Sequence, residues 1–154
     1  MADYYTKFSL LLELPDKAAQ EYALDLADRA RRIQQEEEVA DFPDSLRVEI
    51  DDWQFETESE SSPESRGILL VTENGGINAA CAFIQHLLQR FDPGGRLTFE
   101  WSNDCSKPRV DAYGGGAALV TARKIKSMNT GTWLHRQLAK LHPHKPASAL
   151  IDAQ

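Results

Sequence analysis

The sequence predicts an α+β domain on the ferredoxin-like βαββαβ plan, with an added fifth strand and a C-terminal helix. Three observations carry this expectation. Phe8, Leu10, Leu12 and Leu14 alternate with Ser9, Leu11 and Glu13, the period of a half-buried strand. Ile77, Ala80, Cys81, Ile84, Leu87, Leu88 and Phe91 recur at helical spacing. The elements around them run strand, helix, strand, strand, helix, strand, which packs two helices on one face of an antiparallel sheet.

The first strand ends at Pro15, which cannot donate to a ladder, and Asp16 is placed to cap a helix. That helix shows one apolar stripe of Ala19, Tyr22, Ala23, Leu26, Ala30 and Ile33. It is expected to run to about Glu38, where Glu36, Glu37 and Glu38 oppose the negative helix end. Phe42-Pro43-Asp44 reads as a turn. Leu46, Val48 and Ile50 then alternate as a second strand. Trp53 and Phe55 resume on the other parity, which implies a bulge near Asp51 and Asp52. Glu56 to Ser65 lacks periodicity and reads as a mobile acidic loop. Ile68 to Thr72 is a short buried strand, and Asn74-Gly75-Gly76 turns the chain into the second helix. Asp92-Pro93-Gly94-Gly95 stops that helix. Leu97, Phe99 and Trp101 alternate as the fourth strand, Asn103 to Gly116 reads as a loop, and Ala117 to Thr121 as the fifth strand. A short helix is expected near Lys124 and a longer one from Thr132 to Leu141. Residues 1–141 thus read as one domain and 142–154 as a flexible tail. The open face of the sheet would carry Leu11, Glu13, Arg47, Glu49, Thr98 and Glu100, a mixed and mostly acidic surface.

The chain has 154 residues, 42% apolar and 27% charged, enough for one domain with a real core. No stretch approaches the ~20 apolar residues of a membrane helix. Met1 to Lys7 lacks the basic-then-apolar pattern of a secretory signal. Two cysteines make no disulfide framework. These point to a cytoplasmic protein away from membranes. Residues 1–64 hold 18 acidic and 6 basic side chains, a balance of −12, and residues 65–154 hold 6 and 11, a balance of +5. An acidic chain argues against direct nucleic-acid binding and permits a basic partner or a second copy.

Fold alone decides no activity, so the residues must. The third strand carries no aromatic on which bases would stack, which argues against an RNA-reading sheet. Leu14-Pro15-Asp16-Lys17 stands where metal carriers on this plan place C-x-x-C, and no arginine stands there to cradle an anion. The most distinctive segment runs from Cys105 through Lys107 and Arg109 to Gly114, Gly115 and Gly116. It offers cations and bare backbone N–H groups to an anion, but matches no phosphate loop. The plainer reading gives those glycines a backbone-packing task. Cys105 lies near two cations that would favour its thiolate, yet none of His86, His135, His142 and His144 stands at a spacing that pairs it with a base. Cys81 falls on the apolar stripe and reads as core, whereas His86 lies opposite that stripe and reads as surface. His142-Pro143-His144 brings two metal ligands without a third, so no metal is expected. Asp51, Asp52, Glu56, Glu58 and Glu60, with Trp53 and Trp133 as anchors, form the candidate partner-binding set. A charge run is also what an ordinary solvated loop looks like.

The stretch FEWSNDCSKPRVDAYGGGAALVTA, Phe99 to Ala122, resembles a segment of small uncharacterised bacterial proteins, some carried by phages and plasmids. Those proteins similarly pair a C-S-K-P-R loop with a glycine triplet, a strand and N-T-x-x-W-L, here Asn129-Thr130-Gly131-Thr132-Trp133-Leu134. The likeness covers roughly the last half of the chain, with Phe83-Ile84-Gln85 also similar, and implies a bacterial or mobile-element origin but no activity. The resulting expectation is a non-enzymatic protein-interaction module acting through the open sheet face or the acidic loop, on a protein partner or itself, without cofactor. The alternatives are an inhibitor whose acidic surface mimics nucleic acid, and a small enzyme or anion binder built on the Cys105–Arg109 loop.

Overall fold

In the computed structural model, which describes residues 2–141 and 143, the chain forms a mixed α+β fold around one six-stranded antiparallel sheet. The strands are β1 (Tyr4–Glu13), β2 (Glu56–Ser59), β3 (Gly67–Thr72), β4 (Arg96–Cys105), β5 (Gly114–Thr121) and β6 (Ile125–Asn129). The helices are α1 (Lys17–Gln34), α2 (Asp44–Arg47), α3 (Ile77–Phe91) and α4 (Thr130–Ala139). Sheet order is β2-β3-β1-β4-β5-β6, so β1 sits inside and β2 and β6 form the two edges.

α1 starts where predicted: the Asp16 carboxylate accepts the Ala19 N–H at 2.8 Å. Its stripe of Ala19, Ala23, Leu26 and Ala30 is buried, as are Phe83, Ile84, Leu87 and Leu88 of α3. The two helices touch directly, through Tyr22 Oη and His86 Nε2 at 2.8 Å and an edge-on pair of Tyr22 and Phe91. They therefore lie on one side of the sheet, against Phe8, Leu10, Leu12, Ile68, Leu70, Phe99 and Val120. His86 is thus half-buried between helices, not a free surface residue. Its pKa is lowered by burial and then by the nearby Arg90.

The segment from Asp44 to Ser59 departs from expectation. Leu46, Val48 and Ile50 form no strand; Leu46 lies on α2, Val48 follows its end, and Ile50 opens a 3₁₀ turn, Ile50–Asp52. Leu46 and Ile50, four residues apart, are both buried, while Val48 is 80% exposed. The apparent alternation was one helical face with an outward residue between. There is no bulge at Asp51 and Asp52, and Arg47 and Glu49 are not on the sheet. Gln34 Nε2 donates to the carbonyls of Ile50 and Trp53 and pins this segment to the end of α1. The second strand falls instead on Glu56–Ser59, inside the expected loop, where Glu56 to Ser59 pair with Val71 to Ile68. An edge strand exposed on one face tolerates glutamate, and its charge discourages pairing with foreign strands.

The far side also differs. β4 runs on to Cys105 and β5 begins at Gly114, so the long loop shrinks to residues 106–113. The expected short helix near Lys124 is β6, a sixth strand paired with β5 from Val120↔Ile125 to Gly116↔Asn129. No helix among the described residues is long and apolar enough to cross a membrane.

Candidate functional site

Strand alternation delivers one set of side chains to the helices and the other to the open face. Along β1, β3 and β2 the register aligns Leu11, Leu69 and Glu58 in one row and Ser9, Val71 and Glu56 in the next. Along β4, β5 and β6 it aligns Thr98, Leu119 and Lys126, then Glu100, Ala117 and Met128. Leu11, Leu69, Val71, Ala117 and Leu119 are half-buried, without a covering layer among the described residues. Two shallow grooves result. One of about 610 Å³ is lined by Glu100, Leu119, Lys126 and Met128. The other, about 650 Å³, is lined by Lys7, Ser9, Glu56 and Val71. At the open end, Lys7 pairs with Asp104 at 3.5 Å and lies over the Tyr5 ring.

The second exposed apolar feature is α4. Asn129 caps it, its side chain accepting the Thr132 N–H at 2.7 Å. Thr130 Oγ1 accepts the Gly115 N–H and ties the helix start to β5. No α4 residue is buried: Trp133, Leu134 and Leu138 are 52%, 54% and 66% exposed, and Leu141 beyond it 68%. Trp133 shares a cleft with Trp101, Ile77 and Arg136, which places α4 on the α3 side of the sheet.

The expected site residues scatter. Cys105 is half-buried at the end of β4, opposite Tyr4, and Lys107 and Arg109 are exposed in the loop beyond. Gly114, Gly115 and Gly116 belong to β5 and have no positive φ, so they do not form the N–H concavity an anion would use. They serve close packing: a Cβ at Gly116 would meet the Trp101 indole, one at Gly115 the Trp101 carbonyl, and one at Gly114 the Thr130 hydroxyl at 2.8 Å. Trp53, expected as a partner anchor, is instead 5% exposed and packed on Phe42, Phe55 and Phe83. Asp52 accepts the Ala79 N–H at 3.0 Å and caps the start of α3. Asp51, Glu56 and Glu58 are exposed, Glu60 takes the Ser65 hydroxyl, and Trp133 is at the surface. Cys81 lies in the core, its thiol pushed up to about 11 by burial and then by Asp52. Among the described residues no three His, Cys, Asp or Glu side chains cluster as metal ligands. His142 and His144 lie outside the described residues.

β6 and the packing of Gly115 and Gly116 on Trp101 were not legible in the sequence. The Asn129-x-x-Thr132 cap was the available signal, since it fixes a helix start at Thr130 and leaves Ile125–Asn129 to be extended. No family model, no curated protein and no solved structure matches the chain.

Proposed function

We propose that this chain is a non-enzymatic protein-interaction module that works through the open face of its sheet. The observation that carries this reading is an apolar strip, Leu11, Leu69 and Val71, bordered by Glu13, Glu56 and Glu58, on the side opposite both long helices. A half-apolar sheet face rimmed by carboxylates suits a protein surface that is apolar and basic. We read the core β1-α1-β2-β3-α3-β4 as a ferredoxin-like unit carrying β5 and β6 as additions. The test is a photo-reactive side chain placed at Leu11 or Val71, with one at Glu21 on the exposed side of α1 as control. Protein adducts are expected from the sheet positions and not from Glu21. An open face that captures nothing, neither another protein nor a second copy, refutes the reading.

A further inference from the structure

We propose that the seam between α1 and α3 is a pH-sensitive clasp, closed by Tyr22 and His86 and loosened when His86 takes up a proton.

The clasp is built from Tyr22 on α1 and His86, Arg90 and Phe91 on α3. Tyr22 Oη lies 2.8 Å from His86 Nε2, and the two rings stack with centroids 6.0 Å apart and planes 18° from parallel. The Arg90 guanidinium lies over the same tyrosine ring, 4.3 Å from its centroid, and Phe91 meets that ring edge-on at 5.3 Å. His86 and Arg90 stand at i and i+4, so both project from one flank of α3. Among the described residues, Tyr22–His86 is the one hydrogen bond between the two helices.

A proton on His86 alters this contact in two ways. In the neutral tautomer with Nε2 bare, the ring accepts the tyrosine O–H. Once protonated, both ring nitrogens donate, and that O–H must turn away. The new charge is also half-buried and one turn from the Arg90 cation. Carboxylates give it little relief. On α1, Glu21 and Asp25 flank Tyr22, but both are exposed, and Asp25 is held by Arg29 at 3.0 Å. Asp92, at the end of α3, shares a cleft with Arg96. Among the described residues no carboxylate stands within ion-pair distance of His86.

Burial and then Arg90 therefore hold the folded imidazole below its ordinary value. The unfolded chain takes the proton more readily than the folded one. Stability is full above the unfolded value of about 6.5 and falls as pH drops from there toward the folded value. α1 is also tied down away from the seam, by Gln20 Nε2 on the Gly67 carbonyl and by Gln34 on those of Ile50 and Trp53. Acid thus loosens the seam while α1 keeps its seat on the sheet.

The experiment follows the His86 ring by NMR and amide exchange along α1 and α3 of the full chain, at about pH 7.5 and about pH 5.5, a span in which ordinary carboxylates stay ionised. Exchange is corrected for its intrinsic pH dependence. In wild type, His86 is expected to titrate below a free imidazole, and protection around Tyr22 and His86 to fall several-fold at the lower pH. H86Q keeps a hydrogen-bonding side chain that takes no proton in this range, so its protection should be the same at both. R90Q, at an exposed position, should raise the His86 titration and shrink the response. Equal wild-type protection at the two pH values overturns the clasp, as does a response that persists in H86Q. If H86Q does not fold, wild type and R90Q decide: a His86 that titrates at or above the free imidazole value, or a response that R90Q leaves undiminished, overturns it.

Discussion

α3 and α4 have the same amphipathic design and opposite fates. In α3, seven residues from Ala79 to Leu88 are buried, with Phe83, Ile84 and Leu87 fully out of water. In α4 none is buried, although Trp133, Leu134 and Leu138 are as apolar as anything in α3. The difference lies in what each helix faces. α3 finds Phe99 and Val120 below it, α1 beside it and Trp53 and Phe55 at its start. α4 follows a five-residue edge strand, every residue of which is exposed, and among the described residues has no layer beyond it. An apolar stripe therefore states that a helix needs a cover, without stating whether that cover lies in the same chain.

That contrast can be broken or sharpened by substitution. Phe83→Ala should cost about 3–5 kcal/mol, because its fully buried ring touches Trp53 and Phe55 and leaves a cavity between α3 and the 3₁₀ turn. Urea unfolding measures this, and a loss below about 1 kcal/mol would mean the α3 side is far looser than described. Asp52→Ala removes the acceptor of the Ala79 N–H and should lower stability by about 1 kcal/mol. The same denaturation series tests it; an unchanged midpoint would return Asp52 to the solvated acidic run. Leu134→Ala with Leu138→Ala should change stability by no more than about 0.5 kcal/mol, since both side chains already face water. A larger loss there would show that α4 is covered within its own chain.

The sequence disclosed α3 almost residue for residue, because an apolar stripe over four turns has one reading. It disclosed the cap of α1 for the same reason: Asp16 before a stripe is a local signal with a local cause. It failed where two local patterns coincide. Leu46-Arg47-Val48-Glu49-Ile50 fits a strand by alternation and a helical turn by its i, i+4 pair; burial of Leu46 and Ile50 alone, with Gln34 holding the chain, decides for the turn. It failed again where the cause is distant. Gly115 and Gly116 answer to Trp101, a strand away, and Glu56–Ser59 is extended because β3 offers it a free ladder. Of the candidate site residues, the exposed acids and Trp133 were legible as surface from composition. Trp53 was not, since a tryptophan beside two aspartates reads as exposed until Phe42, Phe55 and Phe83 close around it.

The sheet has two unlike margins. β2 presents Glu56 and Glu58, whereas β6 presents Lys126 between uncharged neighbours. Each margin therefore carries its own guard against foreign strands, two carboxylates on one and an ammonium on the other. Neutralising Glu56 and Glu58 would strip the guard from the β2 edge and favour edge-to-edge aggregation.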